Sequence, residues 1–291
     1  MQSKSKTILV TGSYGQLGVV CTKYLKKYFN IYGTGRSAKD EMYQLDISNK
    51  QSVEKALARF QPDIILNLAA MTDVDGCENE PKMAEKYNAD GIKNLCDDFD
   101  GHIIQISTDY VFDGEKGPYT EKDPTNPISV YGRTKLMAEE FLINNNLNYT
   151  IIRTNVLYGY DKNTKASFLK WVVNSLRDSR SIKVVKDQWN NPTWTEALAD
   201  VIERVIDKRL LGTYHYGGDR VMNRYEFAHI IADIFELDAS LIKPIKTVEL
   251  NQDAPRPLKS GLKTDKIEKE LGIRPKSVET CLKEIRNQLA S

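Results

Sequence analysis

Tyr131 and Lys135 stand four residues apart in Tyr131-Gly132-Arg133-Thr134-Lys135, the spacing that puts two side chains on one face of a helix. An ammonium beside a phenol favours the phenolate, so the pair reads as an acid/base unit in which Lys135 lowers the Tyr131 pKa. A Tyr/Lys pair on a solvated helix is the plain alternative, and two other features weigh against it. Thr108, in Ile106-Ser107-Thr108-Asp109 at the end of a β-rich run, offers a hydroxyl that can bind a carbonyl oxygen. Near the start of the chain, Gly12-Ser13-Tyr14-Gly15-Gln16-Leu17-Gly18 spells G-x-x-G-x-x-G between a predicted strand and a predicted helix. Glycines there allow a tight turn, close approach of a pyrophosphate and close helix–strand packing, with helix N-terminal amides facing the anion. A purely structural turn would show the same glycines, but the strand–loop–helix context favours a dinucleotide site.

The next predicted strand runs into Tyr32-Gly33-Thr34-Gly35-Arg36-Ser37. An acid at its end would accept hydrogen bonds from ribose hydroxyls; Arg36 suits a 2′-phosphate instead. NADP(H) is therefore the expected cofactor, with NADH still admissible. Asp46, in Leu45-Asp46-Ile47, is a candidate for the adenine side or a cap for the following helix.

These residues need a scaffold, and the first half supplies a regular one. Strand-like runs at Thr7–Thr11, Ile31–Gly33, Ile64–Leu68, His102–Ser107 and Tyr149–Arg153 alternate with helical patterns at Gln16–Phe29, Ser52–Arg59, Met83–Cys96 and Tyr131–Asn144. That alternation implies right-handed βαβ crossovers and an α/β fold with a doubly wound parallel sheet of the Rossmann type. After about Thr154 the rhythm loosens. Helical stretches at Phe168–Leu176, Thr195–Asp207, Tyr225–Phe235 and Ser277–Ala290 are separated by Pro-rich and polar pieces. The expected division is a Rossmann domain over residues 1–154 and a smaller, more irregular C-terminal substrate-binding lobe over residues 155–291. Some segments of the lobe are expected to return to the first domain.

Composition narrows the function classes. With 41 Lys+Arg against 40 Asp+Glu in 291 residues, the net charge of +1 gives no bulk attraction to nucleic acid or to an anionic membrane. No apolar run approaches the roughly 18 residues of a membrane span, and the N-terminus turns polar too soon for a signal peptide, so a cytoplasmic location is expected. Cys21, Cys77, Cys96 and Cys281 show no paired spacing and read as buried or incidental thiols; His102, His215 and His229 are not at metal-ligand spacing. His215 reads as a structural histidine, Lys23, Lys26 and Lys27 as a solvated face, and Trp171 as core beside Phe168 and Leu169.

The sequence also carries longer signatures. Thr11-Gly12 through Gly18, Asn67 through Asp75, the stretch Ile106-Ser107-Thr108-Asp109-Tyr110-Val111-Phe112-Asp113-Gly114, Pro118 through Glu121, Tyr131 through Lys135, Arg153 through Gly159, Asp187-Gln188, Pro192-Thr193 and Arg256-Pro257 resemble the dTDP-4-dehydrorhamnose reductases, extended short-chain dehydrogenases/reductases. The resemblance implies NADPH-dependent reduction of the C4 ketone of a nucleotide-linked 4-keto-6-deoxyhexose, taking dTDP-4-dehydro-L-rhamnose to dTDP-L-rhamnose. In it Tyr131 supplies the proton, Thr108 hydrogen-bonds the same oxygen and Lys135 holds the nicotinamide ribose. Carried over position by position, the cofactor side comprises Gly12, Tyr14, Gly15, Gln16, Leu17, Gly18, Arg36, Asp46, Ile47, Leu68, Ala69, Ala70 and Thr72, with Tyr131 and Lys135. The substrate side comprises Thr72, Val74, Asp75, Thr108, Asp109, Tyr110, Phe112, Asn155 and Gln188. The implied partner is a nucleotide-sugar substrate, with a homodimer admissible.

Three positions depart from that pattern. Val156 stands where a tryptophan is usual, and Asn191 where glycine is usual; asparagine tolerates a positive φ better than most residues, so it could still adopt the same turn. Val20 stands where some members carry a glutamate that binds Mg²⁺, so no metal is expected. The run Gly212 through Gly218, with Tyr225 through Ala228, also resembles the regulatory β-subunit of methionine adenosyltransferase, a non-catalytic NADP-binding protein. That is the alternative reading. The loop Thr72-Asp73-Val74-Asp75-Gly76-Cys77-Glu78 has the reductase form and favours an enzyme.

Overall fold

The first strand, β1 (Thr7–Thr11), is apolar towards both faces and buried along nearly its whole length. This is the signature of a strand covered by helices on both sides. The computed structural model describes residues 6–37, 42–145, 147–160 and 167–290. β2 (Asn30–Gly35), β3 (Tyr43–Gln44), β4 (Ile64–Asn67), β5 (His102–Thr108) and β6 (Tyr149–Thr154) join β1 and the strand Gly212–His215 in one seven-stranded sheet. The spatial order is Gly212–His215, β6, β5, β4, β1, β2, β3, and every pairing is parallel. The winding direction reverses between β1 and β4, so a crevice opens there at the carboxyl ends of the strands. The doubly wound Rossmann sheet is the observed fold.

Around the sheet lie α1 (Gln16–Leu25), α2 (Lys50–Phe60), α3 (Val74–Asn79), α4 (Pro81–Glu85), α5 (Gly91–Cys96) and α6 (Val130–Asn144). The helix expected over Met83–Cys96 is not continuous. A π-helical turn, Lys86–Asp90, interrupts it and aims the buried Asn88 at the loop beyond β4. Asp46 does not cap α2: Asn49 does, accepting from Ser52 N at 3.1 Å, while Asp46 accepts the amide and hydroxyl of Ser48.

From the second half of the chain, helix Thr195–Lys208 packs on α1 and strand Gly212–His215 extends the sheet beside β6. Helices Phe168–Arg177, Arg224–Ile234 and Val278–Ala290 enclose a separate apolar cluster that includes Tyr158, Leu169, Phe227, Ile231 and Leu282. Leu169, Val172, Val173 and Leu176 form its inward stripe on the first of these helices. Trp171 falls on the other side of that helix and is 43% exposed, which corrects its placement in the core. Among the described residues all four cysteines are free thiols, three of them buried and Cys96 partly so.

Candidate active site

The glycine loop occupies the crevice end of β1. Gly12 has φ +66°, and a Cβ there would lie 2.8 Å from Ala69 N and 2.9 Å from Leu68 C, so the loop runs flush against the end of β4. Ser13, which the sequence reading passed over, fixes the loop to β2. Its hydroxyl donates to Val10 O and accepts from Thr34 N, both at 3.0 Å. The Tyr14 ring packs over Gly35, where a side chain would leave no room. At the start of α1, Gly15 provides no side-chain cap and the first turn holds no acid. The first amides are thereby left facing the crevice, the arrangement that receives a phosphate.

A buried polar chain crosses the strand ends beneath the loop. Thr11 Oγ1 donates to Asn67 Oδ1 at 2.6 Å and accepts from Leu68 N and Ala69 N. Asn67 Nδ2 in turn donates to Gln105 Oε1 at 2.7 Å. These three residues hold the Leu68–Ala69–Ala70 segment in place, and a polar residue closing each apolar strand run was the available signal for two of them. Asn88 fastens the same loop to α6, accepting from Met71 N at 2.8 Å and donating to Thr134 Oγ1 at 3.0 Å. Leu17 and Ile47 turn their side chains into the core, so only their backbone can face a cofactor. Arg36 is exposed at the end of β2 over the Tyr87 ring, 5.3 Å from its centroid. Thr72 is exposed on the loop before α3.

α6 begins at Ser129, whose hydroxyl caps Gly132 N, and this start sets Tyr131 in its first turn facing β5. Tyr131 hydrogen-bonds the Thr108 side chain and meets the Tyr110 ring edge-on at 5.5 Å. Lys135 is 4% exposed and donates to Ile106 O at 2.6 Å. Thr108, Tyr131 and Lys135 are thus brought together at the carboxyl end of the sheet. Burial pushes the Tyr131 phenol well above its ordinary range, with the Asp109 carboxylate adding to the effect. Burial thus outweighs the depression of Tyr131 expected from Lys135. Lys135 itself is pulled down to about 8, again by burial.

Asp109, 2% exposed, accepts from the Ser260 hydroxyl and from Thr108 Oγ1, and burial raises its carboxyl to about 6. Two arginines that the sequence reading did not place in the site complete this side. Arg256 Nη2 pairs with Asp75 at 2.8 Å. Arg224 opens helix Arg224–Ile234 and lies over the Phe168 ring at 5.2 Å, within the field of Asp109, Tyr110 and Arg256. The Arg224 guanidinium makes no ion pair with a described residue, and a desolvated cation of that kind suits an anionic ligand. Val74 opens α3 one residue before Asp75.

Other expected substrate contacts are placed differently. Phe112 is 0% exposed, stacked on Tyr119 at 4.3 Å and edge-on to His215, so it is core and not a substrate contact. Asn155 is buried and donates to Asn191 Oδ1, and Gln188 donates to Thr247 Oγ1. Asn191 does not adopt a positive φ. Its side chain instead links Asn155, Gly218 O and both backbone polar groups of Leu262. Val156 does adopt a positive φ, +40°, a strained conformation for a β-branched residue and one that lies on the turn out of β6. Among the described residues no group of three or more His, Cys, Asp or Glu could hold a metal ion. Nor is any helix long and apolar enough to cross a membrane.

The model of the RmlD substrate binding domain family matches residues 6–291. The chain belongs to that family. Among solved structures of similar proteins, a dTDP-4-dehydrorhamnose reductase of Clostridium acetobutylicum is 38% identical, with a TM-score of 0.89 over 98% of this chain and 100% of that one. A dTDP-4-dehydrorhamnose reductase of Bacillus anthracis, solved in complex with NADP, is 29% identical, with a TM-score of 0.90 over 98% and 99% of the two chains. The methionine adenosyltransferase 2 subunit beta of Bos taurus is 33% identical over 92% of this chain and 83% of its own. As a member of the RmlD family the chain takes the extended short-chain dehydrogenase/reductase fold, and it resembles both dTDP-4-dehydrorhamnose reductases and methionine adenosyltransferase 2 subunit beta.

Proposed function

We propose that the chain is an NADP(H)-dependent reductase of the C4 ketone of a nucleotide-linked 4-keto-6-deoxyhexose, dTDP-4-dehydro-L-rhamnose being the substrate it would take. The observation that carries the reading is that Tyr131 hydrogen-bonds Thr108 and Lys135 anchors on Ile106 at the carboxyl end of β5, the same edge of the sheet at which the uncapped glycine-loop helix begins. The loop amides of Gly12 to Gly18 and Arg36 would hold the dinucleotide, with the Leu68–Ala70 segment along its other side. When bound, the reduced nicotinamide supplies a hydride to the carbonyl carbon. Tyr131 then gives its phenolic proton to the oxygen on which negative charge develops, and Thr108 hydrogen-bonds the same oxygen. The raised Tyr131 pKa suits this direction, because it keeps the phenol protonated while an alkoxide is still the stronger base. Lys135 would reach the nicotinamide ribose from beside Ile106. Arg224, with Arg256 held by Asp75, would bind the substrate diphosphate.

The test is NADPH consumption by the purified protein with dTDP-4-dehydro-L-rhamnose generated in situ. Tyr131→Phe should lower turnover by about 10²–10⁴-fold while leaving NADP⁺ binding within a few-fold. The likeness to the methionine adenosyltransferase β-subunit supports a second reading, a non-catalytic NADP-binding subunit. Tight NADPH binding without turnover of this or related ketosugars, together with a stable protein partner, would favour it over the first.

A further inference from the structure

Between α4 and α5 lies the π-helical turn Lys86–Asp90, and two consecutive residues at its centre serve different walls of the crevice. Asn88 is buried; it holds the loop after β4 through Met71 N and Met71 O and reaches Thr134 on α6. Tyr87 is half-buried, and the Arg36 guanidinium at the end of β2 lies over its ring, 5.3 Å from the centroid. Gly91 follows the turn so close to the Leu45–Ile47 segment that a Cβ there would lie 2.7 Å from Ile47 Cδ1. The turn is thus wedged between the two stretches of chain that flank the expected cofactor. Turns of this kind inside α-helices occur frequently at functional sites.

Core packing does not account for Tyr87. Its ring belongs to none of the apolar clusters of the described residues, and the contact it does make is with a cation. Arg36 in turn makes no ion pair with a described residue. The backbone that presents it is fixed independently of Tyr87. Arg36 O accepts from Gln44 Nε2 at 3.1 Å, Gly35 O accepts from Leu45 N at 2.9 Å, and a Cβ on Gly35 would lie 2.5 Å from the Tyr14 ring of the glycine loop. What the backbone leaves free is the long Arg36 side chain, and the ring restricts that. A guanidinium attracted to an aromatic ring uses no N–H group in the contact, so its fork of donors stays available for the oxygens of a phosphate. Holding the cation in place before the ligand arrives also removes part of the ordering cost of binding.

We propose that Tyr87 is a positioning residue that sets the preference for NADP(H) over NAD(H): its ring holds the Arg36 guanidinium ready for the 2′-phosphate of the adenine ribose. The inference rests on the reading that Arg36 meets that phosphate, and it is independent of which sugar is reduced. The 2′-phosphate is the group by which the two cofactors differ, so the contribution of Tyr87 shows in the binding of one and not of the other.

The experiment is calorimetric titration of the full-length protein with NADP⁺ and, separately, with NAD⁺. Tyr87→Leu removes the ring and keeps an apolar side chain. Its NADP⁺ dissociation constant rises by about 2–5-fold, the size of an exposed cation–π contact, while the NAD⁺ constant stays in place. Tyr87→Phe keeps the ring and with it the wild-type ratio of the two constants. Arg36→Met raises the NADP⁺ constant by about 10–100-fold, and adding Tyr87→Leu to it raises the constant no further. An equal loss for both cofactors in Tyr87→Leu is the mark of a ring that merely supports the turn, and it would overturn the proposal. So would an unchanged ratio in Tyr87→Leu, the same loss in Tyr87→Phe, or a second loss of equal size in the Arg36→Met background. NADP⁺ binding untouched by Arg36→Met would remove Arg36 from the 2′-phosphate and this proposal with it. A wild type that binds NADP⁺ and reduces no ketosugar would count against the proposed reductase activity alone.

Discussion

Replacing Gly18 by alanine adds one methyl group, and the site predicts a result opposite to that of helix propensity. Gly18 lies in the first turn of α1, where alanine is favoured over glycine by about 1 kcal/mol. Its Cβ would lie 2.2 Å from Gly12 O, 2.7 Å from Ser13 Cα and 2.8 Å from Ser13 C, where ordinary contact begins at 3.4 Å. All three atoms are backbone, so no rotamer change relieves the clash and the loop or the helix must move by about 1 Å. Gly12 cannot retreat, because its own Cβ side already abuts Leu68 and Ala69. Overpacking of this kind costs about 1–3 kcal/mol, and the backbone contact places it at the upper end. The net expectation is a loss of about 2 kcal/mol in urea unfolding. Displacing the amides that face the phosphate removes at least one charge-assisted hydrogen bond, about 1.5–3 kcal/mol, so the NADP⁺ dissociation constant rises by about 10–100-fold in calorimetric titration. Gly272→Ala is the control. Gly272 has φ +66° with nothing within 4 Å of its Cβ, so the variant should lose about 1 kcal/mol of stability and keep its NADP⁺ affinity. A Gly18→Ala protein at least as stable as the wild type, with unchanged affinity, would refute the argument.

Two further predictions concern the lobe side of the site and the acid limb of stability. Arg224→Met should raise the KM for the nucleotide sugar by about 10–100-fold with kcat within a few-fold, because the charge contacts the diphosphate and not the reacting carbon; an unchanged KM in steady-state kinetics would remove Arg224 from the site. Burial, with the neighbouring Arg153 guanidinium adding to it, holds the His215 pKa down to about 3 against an ordinary 6.5. A folded value below the unfolded one means that its contribution is present above pH 6.5 and is lost as pH falls towards 3, about 3 kcal/mol going between pH 6.5 and 4. Denaturant unfolding of His215→Asn across that interval should show a correspondingly shallower slope, and an equal slope would contradict the neutral buried ring.

Much of the first half was legible because its signals are local. Strands such as Thr7–Thr11 are apolar on both faces, and the loop glycines and the Tyr131/Lys135 spacing depend only on residues near one another in the chain. The π-helical turn at Lys86–Asp90 was not legible because an extra residue per turn leaves the local helical pattern continuous, and Gly91 just after it reads equally well as a tolerated helix glycine. Phe112 and Trp171 were misplaced for complementary reasons. A long signature around Thr108 suggested that every residue in it faces the ligand, and an aromatic residue in an amphipathic helix suggested burial; each side chain's direction is set by what packs against its element.

The sequence by itself determined the βα alternation of the first half, the glycine loop, and the identity of a tyrosine, a lysine and a threonine with groups able to donate a proton or a hydrogen bond. Only the tertiary structure decided what those groups are chemically. Burial dominates the state of Tyr131 and pulls Lys135 down; Arg153, from another strand, pairs with the buried Glu139 of α6; and Arg224 and Arg256 approach Asp109 and Tyr110 from positions far along the chain. The physical reason is that desolvation and Coulomb interactions depend on distance in space and on the local dielectric, and neither quantity is carried by the spacing of residues along a chain.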